Sequence, residues 1–176
     1  MSDTGHIRVD IPPEPGDSYE VIVERGGLAR LGPLCAEVAP AHAYALISDS
    51  RVAELHGRAA LESLGSSGQR TERFVFPAGE WNKSRGTWAE LPDALRAAGF
   101  GRDTVVVGLG GGGTGDRAGF VAATFMRGGP VGQVPTTVPA MVDSSVGGKT
   151  GVDAHGAKNA VGSFHHPAAV LADPDL

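Results

Sequence analysis

Between Val142 and Gly151 the chain reads Val-Asp-Ser-Ser-Val-Gly-Gly-Lys-Thr-Gly, and Lys158-Asn159 follow shortly after. Asp143, the hydroxyls of Ser144 and Ser145, a glycine pair and two lysines make this stretch too polar and glycine-rich for a core element. It is suited to hold an anion, with Lys149 and Lys158 as point charges for phosphate or carboxylate. Two solvated surface lysines would be the ordinary explanation, but a solvated face does not need the flanking glycines and hydroxyls. The P-loop pattern fails, because Asp143 stands where that pattern has its first glycine.

A second glycine-rich stretch, Gly110 to Gly115, fits G-x-G-x-x-G through Gly110, Gly112 and Gly115. Glycines there let backbone N–H groups approach a pyrophosphate, and the N-terminus of the following helix adds positive potential. Alone the match is weak, since a glycine run satisfies many patterns and no Asp or Glu occurs between Asp116 and Asp143. Asp49, at the end of an earlier strand, is the better candidate to grip a ribose, with capping of the next helix an equal alternative. The histidines His6, His42, His56, His155, His165 and His166 form no compact cluster, and adjacent His165-His166 point opposite ways in extended chain. A zinc site needs three or more ligands, so surface or loop roles are expected for them. Trp81 and Trp88 read as a core or interface stripe.

The elements that must position these residues alternate. Tyr19 to Val23 predicts a strand, Leu28 to Val38 a helix, Ala43 to Asp49 a buried parallel strand, and Val52 to Leu64 an amphipathic helix. Arg70 to Phe76 predicts a third strand, and Lys83 to Ala98 has helical spacing despite Gly86 and Pro92. Pro92 is expected to kink that helix or end its first part. Thr104 to Val107 is a fourth strand, and the helix opened by the glycine run should turn Ala118, Val121, Ala122 and Phe125 inward. Val131 to Val134 is a fifth strand, ending at Pro135-Thr136-Thr137. The expected fold is α/β, a doubly wound, Rossmann-like and mostly parallel sheet, whose ligands sit beyond the carboxyl ends of the strands.

A length of 176 residues suits one domain, and 41% hydrophobic residues can bury a core. The formal net charge of -5 argues against general nucleic-acid binding and favours a small metabolite. Cys35 is the only cysteine, so neither an intrachain disulfide nor a cysteine-rich zinc site can form. The start, Met1 to His6, has no basic region leading into an apolar run, and no stretch reaches the roughly 20 apolar residues of a membrane helix. A soluble cytoplasmic protein with no membrane contact is expected.

Several motifs together resemble 3-dehydroquinate synthase: Gly110 to Asp116, Ala118 to Thr124, Met126-Arg127-Gly128, Val134 to Thr137, Val142 to Gly151 and Lys158-Asn159. Pro77-Ala78-Gly79-Glu80 with Lys83, and Asp49 before Val52, extend the likeness upstream. The resemblance implies a shikimate-pathway enzyme converting 3-deoxy-D-arabino-heptulosonate 7-phosphate into 3-dehydroquinate and phosphate, with NAD used and regenerated in each turnover. A divalent metal, zinc or cobalt, and a homodimer are also implied. Asp49, Glu80, Lys83, Gly111, Gly112, Gly113, Asp116, Thr136, Thr137 and Ser144 would line the NAD site. Asp143, Lys149, Lys158 and Asn159 would face the sugar-phosphate substrate, and Arg127 would reach its phosphate, in its own site or a partner subunit's.

Some positions depart from the family pattern. Gly113-Thr114 replace two aliphatic residues, which should loosen the phosphate turn, and Arg51 replaces an Asn near the adenosine ribose. Pro139, Met141 and the stretch Asp153 to Ala157 also differ. The resemblance places the family's metal ligands, one Glu and two His, in a helical domain beyond Leu176. Residues 1 to 176 are therefore expected to be an NAD-binding N-terminal domain, inactive alone, with an apolar face left for the second domain. The alternatives are an NAD-binding module without catalysis, or a related cyclase making an inosose or a valiolone.

Overall fold

A computed structural model describes residues 18–66 and 68–176. The expectations for Met1 to His6 lie outside the described residues. The sheet core is built from β2 (Ala43–Asp49) and β4 (Thr104–Gly110), runs of apolar residues that a parallel sheet buries on both faces. Six strands pair in the order β1-β8-β5-β4-β2-β3, every neighbour parallel. The others are β1 (Glu20–Val23), β3 (Arg70–Phe76), β5 (Val131–Pro135) and β8 (Ala169–Ala172). The doubly wound α/β fold is thus present.

Parallel neighbours need crossovers, and the helices supply them on both faces. Along β2, Tyr44 and Leu46 point to one side, where α1 (Leu31–Val38) and α3 (Gly57–Gly65) cover them with Leu31, Leu34, Ala60 and Leu64. Ala45 and Ile47 point to the other, against α4 (Arg85–Ala97) and α5 (Gly112–Thr124). The expected inner face of α5, Ala118, Val121, Ala122 and Phe125, lies in that second core. Gly32 of α1 crosses α3 so closely that a Cβ would sit 2.0 Å from the Ser63 carbonyl oxygen.

The structure departs from the sequence expectations in five places. The helix expected from Val52 to Leu64 is two helices, α2 (Ser50–Leu55) and α3, broken at His56. Of the two outcomes expected of Pro92, a kink or an end, the end does not occur: α4 runs on through it, with Leu91 and Leu95 buried on either side. Beyond the five expected strands, β8 slots between β1 and β5. The polar stretch from Val142 to Gly151 is not simply a loop: it holds a π turn, Ala140–Ser144, and then enters β6 (Lys149–Ala154). That strand pairs antiparallel with β7 (Ala157–Phe164) around the two residues His155 and Gly156, both at positive φ, as a tight hairpin requires. The hairpin lies on α5, where a Cβ on Gly119 would meet Thr150 Cγ2 at 2.3 Å. Trp88 stacks on Phe120 at 4.7 Å between ring centroids, whereas Trp81 is 83% exposed and no part of a core stripe.

Candidate active site

The chain leaves β2 toward β3 on one side and returns to β4 on the other, so the carboxyl ends of β2 and β4 flank a crevice. Asp49 ends β2 and the glycine turn ends β4. Around them lies a cavity of about 270 Å³, lined by Asp49, Phe76, Glu80, Lys83, Gly111, Gly112, Gly113, Thr114, Arg117 and Thr137. Gly111 is the N-cap of α5, and no side chain caps that helix, so its first amides face the crevice. Position 112 is tight: a Cβ there would come within 2.7 Å of Ser144 Oγ, which would have to turn away. That hydroxyl is buried and has no partner. Asp49 caps α2 through Arg51 and Val52 N–H, each at 3.0 Å, and accepts from Thr114 Oγ1 at 3.3 Å, so the capping alternative is realised while the residue still lines the cavity.

A second cavity of about 400 Å³ opens between α5 and the hairpin, lined by Asp116, Lys149, Thr150, Asn159, Ser163 and Phe164 among others. Lys83 joins the two. It is 7% exposed and donates from Nζ to Asp116 Oδ2 at 2.5 Å and to Asn159 Oδ1. Burial pushes the Asp116 carboxyl above its ordinary value, outweighing the hydrogen bond and charge of Lys83. The hairpin is pinned beside Lys83 by Asp153 N–H donating to the Lys83 carbonyl at 2.8 Å, and Asp153 Oδ1 accepts from Asn159 N–H at 2.7 Å. At the rim, Lys158 reaches Glu80 at 3.5 Å and Lys149 lies 3.7 Å from Asp143, both pairs exposed.

The family model described as 3-dehydroquinate synthase N-terminal matches residues 73–176 of this chain. The chain belongs to the 3-dehydroquinate synthase family. It is 47% identical over 171 residues to a 3-dehydroquinate synthase of Synechococcus sp., covering 96% of this chain and 45% of that relative. The chain thus spans about half the length of the curated relatives it matches. Among solved structures it resembles 2-epi-5-epi-valiolone synthase from Streptomyces hygroscopicus with NAD+ and Zn2+ bound, at TM-score 0.81 and 32% identity over 96% of this chain and 46% of that one. It also resembles 2-deoxy-scyllo-inosose synthase complexed with carbaglucose-6-phosphate, NAD+ and Co2+, at TM-score 0.78 and 30% identity over 87% of this chain and 42% of that one.

Within this member of the 3-dehydroquinate synthase family, the residues expected from sequence fall into two groups and one outlier. Asp49, Glu80, Lys83, Gly111, Gly112, Gly113 and Thr137 share the first cavity, with Ser144 over Gly112. Thr136 is adjacent but does not line it; its N–H instead donates to the Gly110 carbonyl. Asp116, Lys149 and Asn159 line the second cavity, while Lys158 and Asp143 stand at the rims. Arg127 joins neither group, because it sits in the turn after the C-terminal end of α5, at the opposite end of the helix from the glycine turn. α5, about 20 Å long, separates it from the glycine turn. Sequence reading missed Arg117, which burial pulls down to about 10 and which lies 3.9 Å above the Phe76 ring. An arginine followed directly by the apolar run Ala118 to Ala123 was the available signal.

Proposed function

We propose that this chain carries the nucleotide half of a 3-dehydroquinate synthase, one that converts 3-deoxy-D-arabino-heptulosonate 7-phosphate into 3-dehydroquinate and phosphate. The observation carrying this reading is the sharing of Lys83 between two adjoining cavities, one glycine-lined and one lysine-lined. The first fits NAD: a bare helix N-terminus, a glycine that a Cβ would fill, and the unpartnered Ser144 hydroxyl beside it. When bound, NAD supplies a reversible hydride acceptor.

The chain's own residues divide the remaining tasks. Gly111, Gly112 and Gly113 admit a pyrophosphate, and Thr137, Asp49 and Glu80 offer oxygens to ribose hydroxyls. Lys83 fixes Asp116 and Asn159 in one geometry, which places the boundary between cofactor and substrate within a preorganised network. Asp116, with its raised carboxyl, is the group at that boundary suited to hold a proton. Lys149 and Lys158 provide the cations for an acidic sugar phosphate, with Asn159 orienting it and Asp143 holding Lys149 at the rim. Arg127, remote from this site, would serve the phosphate in the site of a second copy, in a homodimer. Among the described residues no group of three or more His, Cys, Asp or Glu could hold a metal ion, so the family's divalent metal does not fit these residues and no step is assigned to it here.

Calorimetric titration with NAD tests the reading: saturable binding is expected, and its absence would overturn the cofactor site. The related-cyclase reading draws on the solved inosose and valiolone synthases. Turnover assays of the complete enzyme with their sugar phosphates, beside the heptulosonate phosphate, separate the two. No helix of the described residues is long and apolar enough to cross a membrane.

A further inference from the structure

Arg117 stands one turn beyond Gly113 on α5 and is 2% exposed. Its Nε and Nη1 are buried without a hydrogen-bond partner. A buried cation with unmade hydrogen bonds is costly, and Phe76 beneath it supplies only a ring face. The guanidinium nevertheless lines the glycine-turn cavity. Gly113, on the same face, leaves the approach open: a Cβ there would meet nothing nearer than Glu80 Oε2 at 3.7 Å. The carboxylates of Asp49, Glu80, Asp116 and Asp153 act on its charge through space, but none accepts a hydrogen bond from it. Asp49 is engaged by two backbone amides and Thr114, and the cavity's other cation, Lys83, is held by Asp116 and Asn159.

We propose that Arg117 binds a phosphate oxygen of the nucleotide that occupies this cavity. A guanidinium only donates, and its fork suits an acceptor with several lone pairs, so an anion matches it better than a ribose hydroxyl does. Two phosphates carry that chemistry, the pyrophosphate bridge of a dinucleotide and the 2′-phosphate that distinguishes NADP from NAD. The inference rests on the nucleotide reading of the cavity and assigns it a residue that the glycine turn alone does not supply.

The test is calorimetric titration of the full chain and of Arg117→Met with NAD and with NADP. Methionine keeps an unbranched stem as far as the Nε position, beside Phe76, while removing the guanidinium and its charge. It is expected to melt no lower than the parent chain without nucleotide, since a buried unpartnered cation is lost. A fall of at least about tenfold in affinity for both nucleotides places the pyrophosphate on Arg117, and a fall confined to NADP places the 2′-phosphate there. Unchanged affinity for both overturns the proposal and leaves the nucleotide reading standing. Failure of the parent chain to bind either nucleotide overturns both. If Arg117→Met does not fold, the arginine Nε–H signals of the parent chain decide: a solvent-protected signal must move on addition of NAD or NADP, and a spectrum that does not move overturns the proposal.

Discussion

β4 is buried along its whole length, whereas every residue of β7 is exposed. The first belongs to the six-stranded framework and carries the glycine turn; the second belongs to the hairpin and carries Lys158 and Asn159. The glycine-turn cavity is therefore shaped by apolar burial on both faces of a parallel sheet, which fixes it without any ligand. The hairpin depends on a few specific contacts: Lys83 to Asn159, Asp153 to the Lys83 carbonyl, and Thr150 against Gly119. One half of the candidate site is thus held by the sheet core, and the other by a handful of contacts, among them the buried Lys83 and the buried Val152 of β6.

Four substitutions probe this contrast. Gly32 and Gly162 meet the same obstacle in the two regions, since a Cβ on either would lie 2.0 Å from a backbone oxygen, of Ser63 and Thr150 respectively. Gly32→Ala should have the largest effect, destabilising the whole fold by about 3 kcal/mol because α1 and α3 must separate. Chemical denaturation measures it, and a loss near zero would show that the two helices can yield.

Lys83→Met comes next, with about 2 kcal/mol lost at neutral pH as Asp116 is left without its cation. Because burial already raises the Asp116 carboxyl, folding favours its protonated form. That contribution is fullest below the unfolded value and declines as pH rises through the folded one. Removing Lys83 raises the carboxyl further, so the gap between variant and parent should widen from about pH 4 to about pH 8 in thermal melts. A gap that narrows would place the ionised pair elsewhere.

Asp173→Asn should cost about 1 kcal/mol. Burial would raise the Asp173 carboxyl, but the amides of Leu28, Asp175 and Gly26 outweigh it and hold the group below its ordinary value. Its stabilisation is present above the unfolded carboxylate value and is lost as pH falls through the folded one. Acid melts of the parent should therefore fall more steeply than those of the variant.

Gly162→Ala should change global stability least, by less than about 0.5 kcal/mol, while amide exchange in β6 and β7 accelerates. If it melts the chain as Gly32→Ala does, the hairpin and framework form one cooperative unit and the contrast fails.

The framework was legible because β2 and β4 are unbroken apolar runs ended by Asp49 and by glycines, so pattern and burial agree. β8 was not, since Ala169–Ala172 is four residues long and gains its identity only from β1 and β5 on either side. The hairpin escaped notice for a related reason. Its glycines and lysines have poor strand propensity, and it forms because Gly119, Gly151 and Gly162 allow backbones and α5 to approach closely. In the candidate site, Gly111, Gly112 and Asp49 announced themselves by position after strands. Arg117 did not, because its meaning lies in having no partner, which only three-dimensional neighbours reveal.

The insertion of β8 between β1 and β5 also sets a schedule. Residues 20–23 have no strand to pair with until residues 169–172 arrive, ~150 positions later. At about 5–20 residues per second of synthesis, β1 waits roughly 7–30 s with both edges unclaimed. During that interval the nascent chain already holds β2, β3 and β4, so the crevice between the ends of β2 and β4 can take shape on the ribosome before the sheet that supports it is complete.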